Sequence, residues 1–210
     1  MEQGFLTEKK KISSIKHYET DTLKDLYMYN MGNVILQVTQ NCNLRCEYCV
    51  YSGSYINRVH TNKRMSFETA VKTIDFLAAH SLNCNEVSIG FYGGEPLLEI
   101  ELIKKAVSYA KEVFGEKKVN FNMTTNATLL NMDIADFLVQ NDFNITISLD
   151  GPRNIHNKNR IFANSNKGTF DLIMENIALI REKYPFFDKK ISFNAVIDLK
   201  QNVSCTNEFF

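Results

Sequence analysis

From residue 34 onward the chain alternates short apolar runs with longer amphipathic stretches. Val34-Ile35-Leu36-Gln37-Val38 is β-rich and reads as a strand buried on both faces. Ser66 is placed to cap a helix with Glu68 in its first turn, and Phe67, Ala70, Val71, Ile74, Leu77 and Ala78 recur at helical spacing. Val87–Tyr92 is a second strand, followed by a helix carrying Leu102, Ile103, Ala106, Val107, Ala110 and Val113, which Gly115 can close. Val119–Met123 alternates as a third strand, and Asn131 caps a helix running to about Val139. Asn144–Leu149 predicts a fourth strand, then a long polar loop holding His156 and Arg160. A helix from Phe170 to Lys183 ends at Pro185, and Ile191–Ile197 is a fifth strand. Val203–Phe210 reads as the start of a further helix. Before residue 34 the chain is polar with scattered apolar positions (Ile12, Ile15, Leu23, Leu26, Tyr27), and a short helix is expected over Thr22–Tyr29.

Five strand–helix alternations without repeats or low-complexity linkers predict an α/β fold with a parallel sheet or barrel. The chemically suggestive stretches all follow strands: three cysteines after the first, Gly93-Gly94-Glu95-Pro96 after the second, Thr124-Thr125-Asn126 after the third, Asp150-Gly151-Pro152 after the fourth. Parallel α/β architectures carry their sites at the C-terminal ends of strands, so four stretches point at one mouth.

Composition narrows the classes. The 210 residues suffice for one sizeable core. Lys plus Arg and Asp plus Glu both number 24, which gives no support for nucleic acid or an anionic membrane as partner. The run Glu8-Lys9-Lys10-Lys11 reads as a solvated patch. No apolar run nears the roughly 18 residues of a membrane span, and residues 1–8 show no signal-peptide core, so a cytoplasmic protein is expected.

Cys42, Cys46 and Cys49 lie within eight residues, spaced C-x₃-C-x₂-C. Clustered thiolates suit zinc or iron–sulfur chemistry. A closed zinc site needs a fourth ligand, and only His60, Cys84 and Cys205 offer one, none at the usual spacing. Three thiolates on a cubane cluster leave one iron open to a small molecule. Zinc stays open on spacing alone, but the α/β alternation around the loop disfavours it and three-cysteine ligation of a cluster fits better. At the other strand ends, Gly93 and Gly94 permit close approach of a ligand to backbone, and Glu95 is an acceptor for an ammonium group. Asn126, Ser148 and Asp150 are small polar groups able to bind hydroxyls or an amino-acid head group, and Arg160 offers a fork for a carboxylate. Tyr48, between two cysteines, must lie close to whatever the open iron holds. For each of these singly except Tyr48, a turn, cap or solvated role is the simpler reading. His156, on a loop, reads as a bystander, and Cys84 and Cys205 as ordinary thiols.

Cys42-x₃-Cys46-x-Tyr48-Cys49 is similar to the cysteine loop of radical S-adenosylmethionine (radical SAM) enzymes, and Gly93-Gly94-Glu95-Pro96 resembles their methionine-binding motif. Ser148-Leu149-Asp150-Gly151-Pro152, with His156, Arg160, Gly168-Thr169-Phe170 and Asn176-Ile177, resembles the branch of anaerobic sulfatase-maturating enzymes and ribosomal-peptide maturases. The resemblance implies a partial parallel (β/α) barrel with about five βα units in this chain. It further implies a [4Fe–4S] cluster on Cys42, Cys46 and Cys49, with S-adenosylmethionine on the open iron. Tyr48 would lie against adenine and Glu95 would bind the methionine ammonium. Ser148 and Arg160 would hold its carboxylate or ribose, with Asn126 and Val196 as further contacts. The implied partners are a peptide or protein substrate and an external one-electron donor of ferredoxin or flavodoxin type. No residue is assigned as a catalytic acid or base. Residues 1–33 would be an N-terminal extension and 34–210 the radical SAM core. That core is expected to be incomplete at its C-terminus and to lack the cysteine-rich SPASM domain of this branch. A small-molecule substrate, a cluster-binding fragment without turnover, and a structural zinc protein are the competing readings.

Overall fold

A computed structural model describes residues 14–52, 58–198 and 203–210. The run Glu8–Lys11 and Ile12, with the rest of the segment before residue 14, lie outside them. Five parallel strands form one sheet in the order β1-β2-β3-β4-β5: Asn33–Thr39, Glu86–Gly93, Lys118–Thr125, Asn144–Ser148 and Ile191–Asn194. Seven helices accompany them among the described residues: α1 (Leu23–Tyr29), α2 (Phe67–His80), α3 (Ile100–Phe114), α4 (Met132–Gln140), α5 (Arg153–Asn159), α6 (Phe170–Lys183) and α7 (Val203–Phe209). Ser66 caps α2 through the Thr69 N–H, and Asn131 caps α4 through the Ile134 N–H.

Strands in sequential order, with the large crossover helices packed on one face, make a barrel segment rather than a doubly wound sheet. Alternation along the strands divides the faces. Leu36, Val38, Val87, Ile89, Phe91, Phe121, Met123, Ile145 and Ile147 join the core against Ile74, Leu77, Ile103, Val107, Leu138, Ile173 and Ile177 of the helices. Phe91, Phe121 and Phe143 stack at its centre with centroids 5.4–6.4 Å apart, each pair contributing about 1 kcal/mol beyond area burial. The opposite face carries Gln37, Ser88, Tyr92, Asn122, Thr124, Thr146 and Ser148. Among the described residues no helix is long and apolar enough to cross a membrane.

Three expectations change. β1 is not buried on both faces: Ile35 is 70% exposed, because β1 is an edge strand whose second face opens into the concave side of the sheet. The polar stretch after β4 is not a loop but contains α5, and β5 ends at Asn194. α5 has no apolar stripe for periodicity to reveal; it is anchored through a buried histidine.

Candidate active site

The end of β1 and the end of β2 meet with almost no gap. The N–H groups of Gly94 and Glu95 donate to the carbonyls of Thr39 and Asn41. A Cβ on Gly93, at φ +152°, would sit 2.3 Å from the Thr39 carbonyl oxygen, and one on Gly94 would sit 2.2 Å from that of Asn41. Both glycines are required here by the approach of the chain to itself, with no ligand invoked. The cysteine loop emerges directly from this contact.

The loop lines a cavity of about 250 Å³ at the C-terminal ends of the strands. Cys42, Cys46, Tyr48 and Cys49 lie on its wall with Gly93 and Gly94 (β2), Asn126 (after β3), Ser148 (β4), Val196 (after β5) and Arg160 (after α5). Thus ten of the twelve sequence-derived candidates border one space. Glu95 and Asp150 do not border it. Thr124 and Thr125, named above as part of a strand-end stretch, and His60, named as a possible zinc ligand, border it too, as do Leu44, Val50, Tyr51, Tyr92 and Asn194, which the sequence does not single out. Asn194, at the end of β5 and on the face opposite Phe193, could have been found from strand alternation. Tyr51 carries no local signal beyond nearness to the cysteines.

Glu95 is fully buried behind the wall. Its Oε1 accepts from the Leu97 N–H at 3.0 Å and the Thr125 hydroxyl at 2.7 Å, and its Oε2 from the Asn126 N–H at 2.7 Å. Burial pushes its pKa up, opposed by these donors and by the Arg160 guanidinium. The expected acceptor for an ammonium is therefore turned inward, where it ties β2 to the end of β3. Asp150 is also engaged within the chain. Its Oδ2 accepts from the Tyr48 hydroxyl at 2.5 Å and lies 3.1 Å from Arg160 Nε, while Oδ1 accepts from the Val196 N–H at 3.1 Å. The carboxylate facing Arg160's fork is thus the protein's own. The guanidinium also stands 5.4 Å over the Tyr48 ring and 4.0 Å, through Nη1, from Cys46 Sγ. This bracket holds the cysteine loop against β4 and β5.

His156 is wholly buried, not a loop bystander. The Asp150 N–H donates to its Nδ1 at 3.3 Å, so the ring proton sits on Nε2 and donates to the Thr169 hydroxyl at 2.9 Å. Thr169 in turn donates to the Arg160 carbonyl at 3.2 Å. A second ring proton would face the Asp150 N–H. Burial, with the Arg160 guanidinium, pushes the pKa down from 6.5 to about 4. The unfolded chain therefore takes up this proton first as pH falls, and stability drops between pH 6.5 and about 4. The expected loss is about 2 kcal/mol from pH 7 to pH 5, reaching about 3 by pH 4. Urea midpoints at the two pH values check it: H156Q, lacking the titration, should show a clearly flatter profile than wild type.

The donor set fits a sulfur-ligated metal group. Burial pushes the Cys42 thiol up to about 12 and Cys46 to about 11, the latter opposed by Arg160. Buried thiols of this kind give up their protons to a bound metal charge rather than to water. Among the described residues no three His, Cys, Asp or Glu side chains converge on a single ion-sized point. The three soft donors are instead spread along one wall.

A profile of the Radical SAM superfamily matches residues 36–208. An uncharacterized protein of Methanocaldococcus jannaschii is 38% identical over 157 residues, 74% of this chain and 51% of that protein. A cysteine-type anaerobic sulfatase-maturating enzyme of Clostridium novyi is 33% identical over 180 residues, 84% of this chain and 46% of that enzyme. A solved structure of native anSMEcpe with bound AdoMet and Cp18Cys peptide superposes with a TM-score of 0.69 at 26% identity, covering 85% of this chain and 47% of that one. The chain thus spans about half the length of these relatives.

Proposed function

The chain belongs to the radical SAM superfamily, and on that premise we propose that residues 34–210 form the radical-generating core of an enzyme that modifies a peptide or protein side chain, with residues 1–33 as an extension. Cys42, Cys46 and Cys49 would hold a [4Fe–4S] cluster, with S-adenosylmethionine bound across the cavity. When bound and reduced, the pair supplies an electron to the sulfonium C–S bond and a carbon radical able to take hydrogen from a substrate C–H. The chain's own work is positioning and exclusion of water. Tyr48 and Val196 offer apolar surface to the adenine. Ser148 and Arg160 offer donors to the carboxylate or ribose, and Gly93 and Gly94 present backbone to the amino-acid end. Glu95 acts from behind that backbone, fixing it through Leu97, Thr125 and Asn126. Asp150 holds Tyr48 and Arg160 in register. A one-electron donor protein of iron–sulfur or flavin type would deliver the electron.

The observation carrying this reading is that all three cysteines border one cavity with residues from the ends of β2, β3, β4 and β5. The peptide-bound relative supports a peptide target. Anaerobic reconstitution with iron and sulfide is expected to give brown protein with about four irons per chain. With dithionite and S-adenosylmethionine it should release 5′-deoxyadenosine, faster when a peptide bearing an oxidisable Cys or Ser is supplied. Colourless protein that titrates with one zinc and yields no 5′-deoxyadenosine would overturn the proposal.

A further inference from the structure

We propose that the Asn126 side chain serves the cysteine loop rather than the bound cofactor: its amide donates an N–H to the Cys42 sulfur and sets the reduction potential of the cluster that sulfur holds. This rests on the cluster proposed above. Asn126 is only 6% exposed, and the orientation of its amide is fixed by a donor that cannot reverse. The backbone N–H of Thr128 donates to Asn126 Oδ1 at 3.0 Å, and the Thr128 hydroxyl donates to the same oxygen at 2.7 Å. Backbone N–H has no acceptor role, so the oxygen must face Thr128 and the nitrogen must face away.

The other side is equally closed. Asn126 Nδ2 donates to Asn43 Oδ1 at 2.9 Å, and its second hydrogen is directed at Cys42 Sγ, 3.8 Å away. Asn43 completes the ring by donating its own Nδ2–H to Thr128 Oγ1 at 2.8 Å. Two lone pairs and two hydrogens of the Asn126 amide are then all engaged, and none remains for a ligand in the cavity. The Leu44 N–H also points at Cys42 Sγ, at 3.4 Å, so this sulfur receives two donors, one fixed by the backbone and one by the Asn43–Asn126–Thr128 ring.

The couple at issue transfers one electron, supplied by a low-potential iron–sulfur or flavin protein, or by dithionite in vitro; no bond is made or broken. The added electron raises negative charge on the ligating sulfurs, so an N–H aimed at one of them stabilises the reduced state more than the oxidised. Removing the donor should lower the midpoint potential. Asn126→Leu keeps the volume and removes the donor. Thr128→Val keeps Asn126 but removes the hydroxyl from the ring, loosening the hold on the amide.

The test is a potentiometric titration of the reconstituted chain followed by electron paramagnetic resonance, with iron content and the KM for S-adenosylmethionine measured alongside. N126L is expected to hold about tenfold less reduced cluster at a fixed ambient potential, equivalent to a midpoint about 59 mV more negative. T128V should move the same way by less, and KM should stay within about twofold in both. An unchanged midpoint in either variant that retains its iron overturns the inference. A raised KM with an unmoved midpoint assigns Asn126 to the cofactor instead. Should N126L fail to hold iron, T128V alone decides by the same criterion. Absence of a reducible signal in wild type counts against the cluster itself, a separate result from failure of the variants to shift.

Discussion

Replacing Cys46 with serine is expected to remove the iron, leave the fold standing and reduce 5′-deoxyadenosine formation by at least about 10³-fold, to background. The three sulfurs border one cavity and do not belong to the hydrophobic core that the sheet and helices share. Their loss therefore costs little packing, and circular dichroism and the thermal midpoint of the metal-free chain should change little. Serine is a hard, weakly acidic donor and a poor substitute for thiolate on iron. With three donors for a cluster there is no spare, and no other His, Cys, Asp or Glu converges with them into an alternative ion site among the described residues. Cys46 is the informative choice because Arg160 Nη1 lies 4.0 Å from its sulfur, and burial is the dominant influence on its thiol. An alkoxide there would need a larger electrostatic stabilisation than this single guanidinium offers. Iron assay, visible absorption and product chromatography on one preparation separate the outcomes. C46S protein that keeps about four irons would remove Cys46 from the ligand set; unfolded C46S protein would make the loop structural.

The fold was legible because the sheet has one buried face. Along β2, Val87, Ile89 and Phe91 are buried while Ser88, Gly90 and Tyr92 are not. β3 and β4 repeat the rule. β1 misled because Ile35 is apolar on the open side, where no neighbouring layer explains it. α5 escaped notice for the opposite reason. Its sequence, Arg-Asn-Ile-His-Asn-Lys-Asn, is polar throughout, and His156, its buried anchor, is hydrogen-bonded rather than greasy.

The site was legible as a set and opaque in its wiring. Periodicity placed the cysteines, glycines and Ser148 at strand ends, and topology brought those ends together. It could not say that Tyr48 would bond Asp150, 102 residues away, or that Arg160 would reach Cys46 across 114. Nor could it show that Glu95 turns inward, since its partners Thr125 and Asn126 are thirty residues on and offer only a hydroxyl and a backbone N–H. Polar residues at a strand end carry the same letters whether they face a ligand or brace the wall behind it.

Gly94→Ala is expected to be nearly as damaging as losing a cysteine, through geometry alone. The added methyl would lie 2.2 Å from the Asn41 carbonyl oxygen, 2.6 Å from its carbon and 3.1 Å from Cys42 Cβ. Two of these obstacles are backbone, so no rotamer change relieves the contact. The peptide before Cys42 must move, and with it the 2.9 Å bond from the Glu95 N–H to Asn41. That shift displaces Cys42 from the N–H groups of Leu44 and Asn126 at its sulfur. Overpacking should cost about 1–3 kcal/mol of stability, visible as a lower urea midpoint. The larger effect is on chemistry: a cluster ligand moved by about 1 Å is expected to reduce turnover by 10²-fold or more, with iron content falling in parallel. Gly115→Ala is the control. Gly115 has positive φ of +54° but open space around its Cβ position, at the far end of α3 from the site. It should show the strain of an L-residue in a glycine-type conformation (φ +54°, ψ −116°), about 1–3 kcal/mol, with full iron and unchanged turnover. If G94A matches G115A in iron and turnover, the close approach of β2 to the cysteine loop is not what positions Cys42.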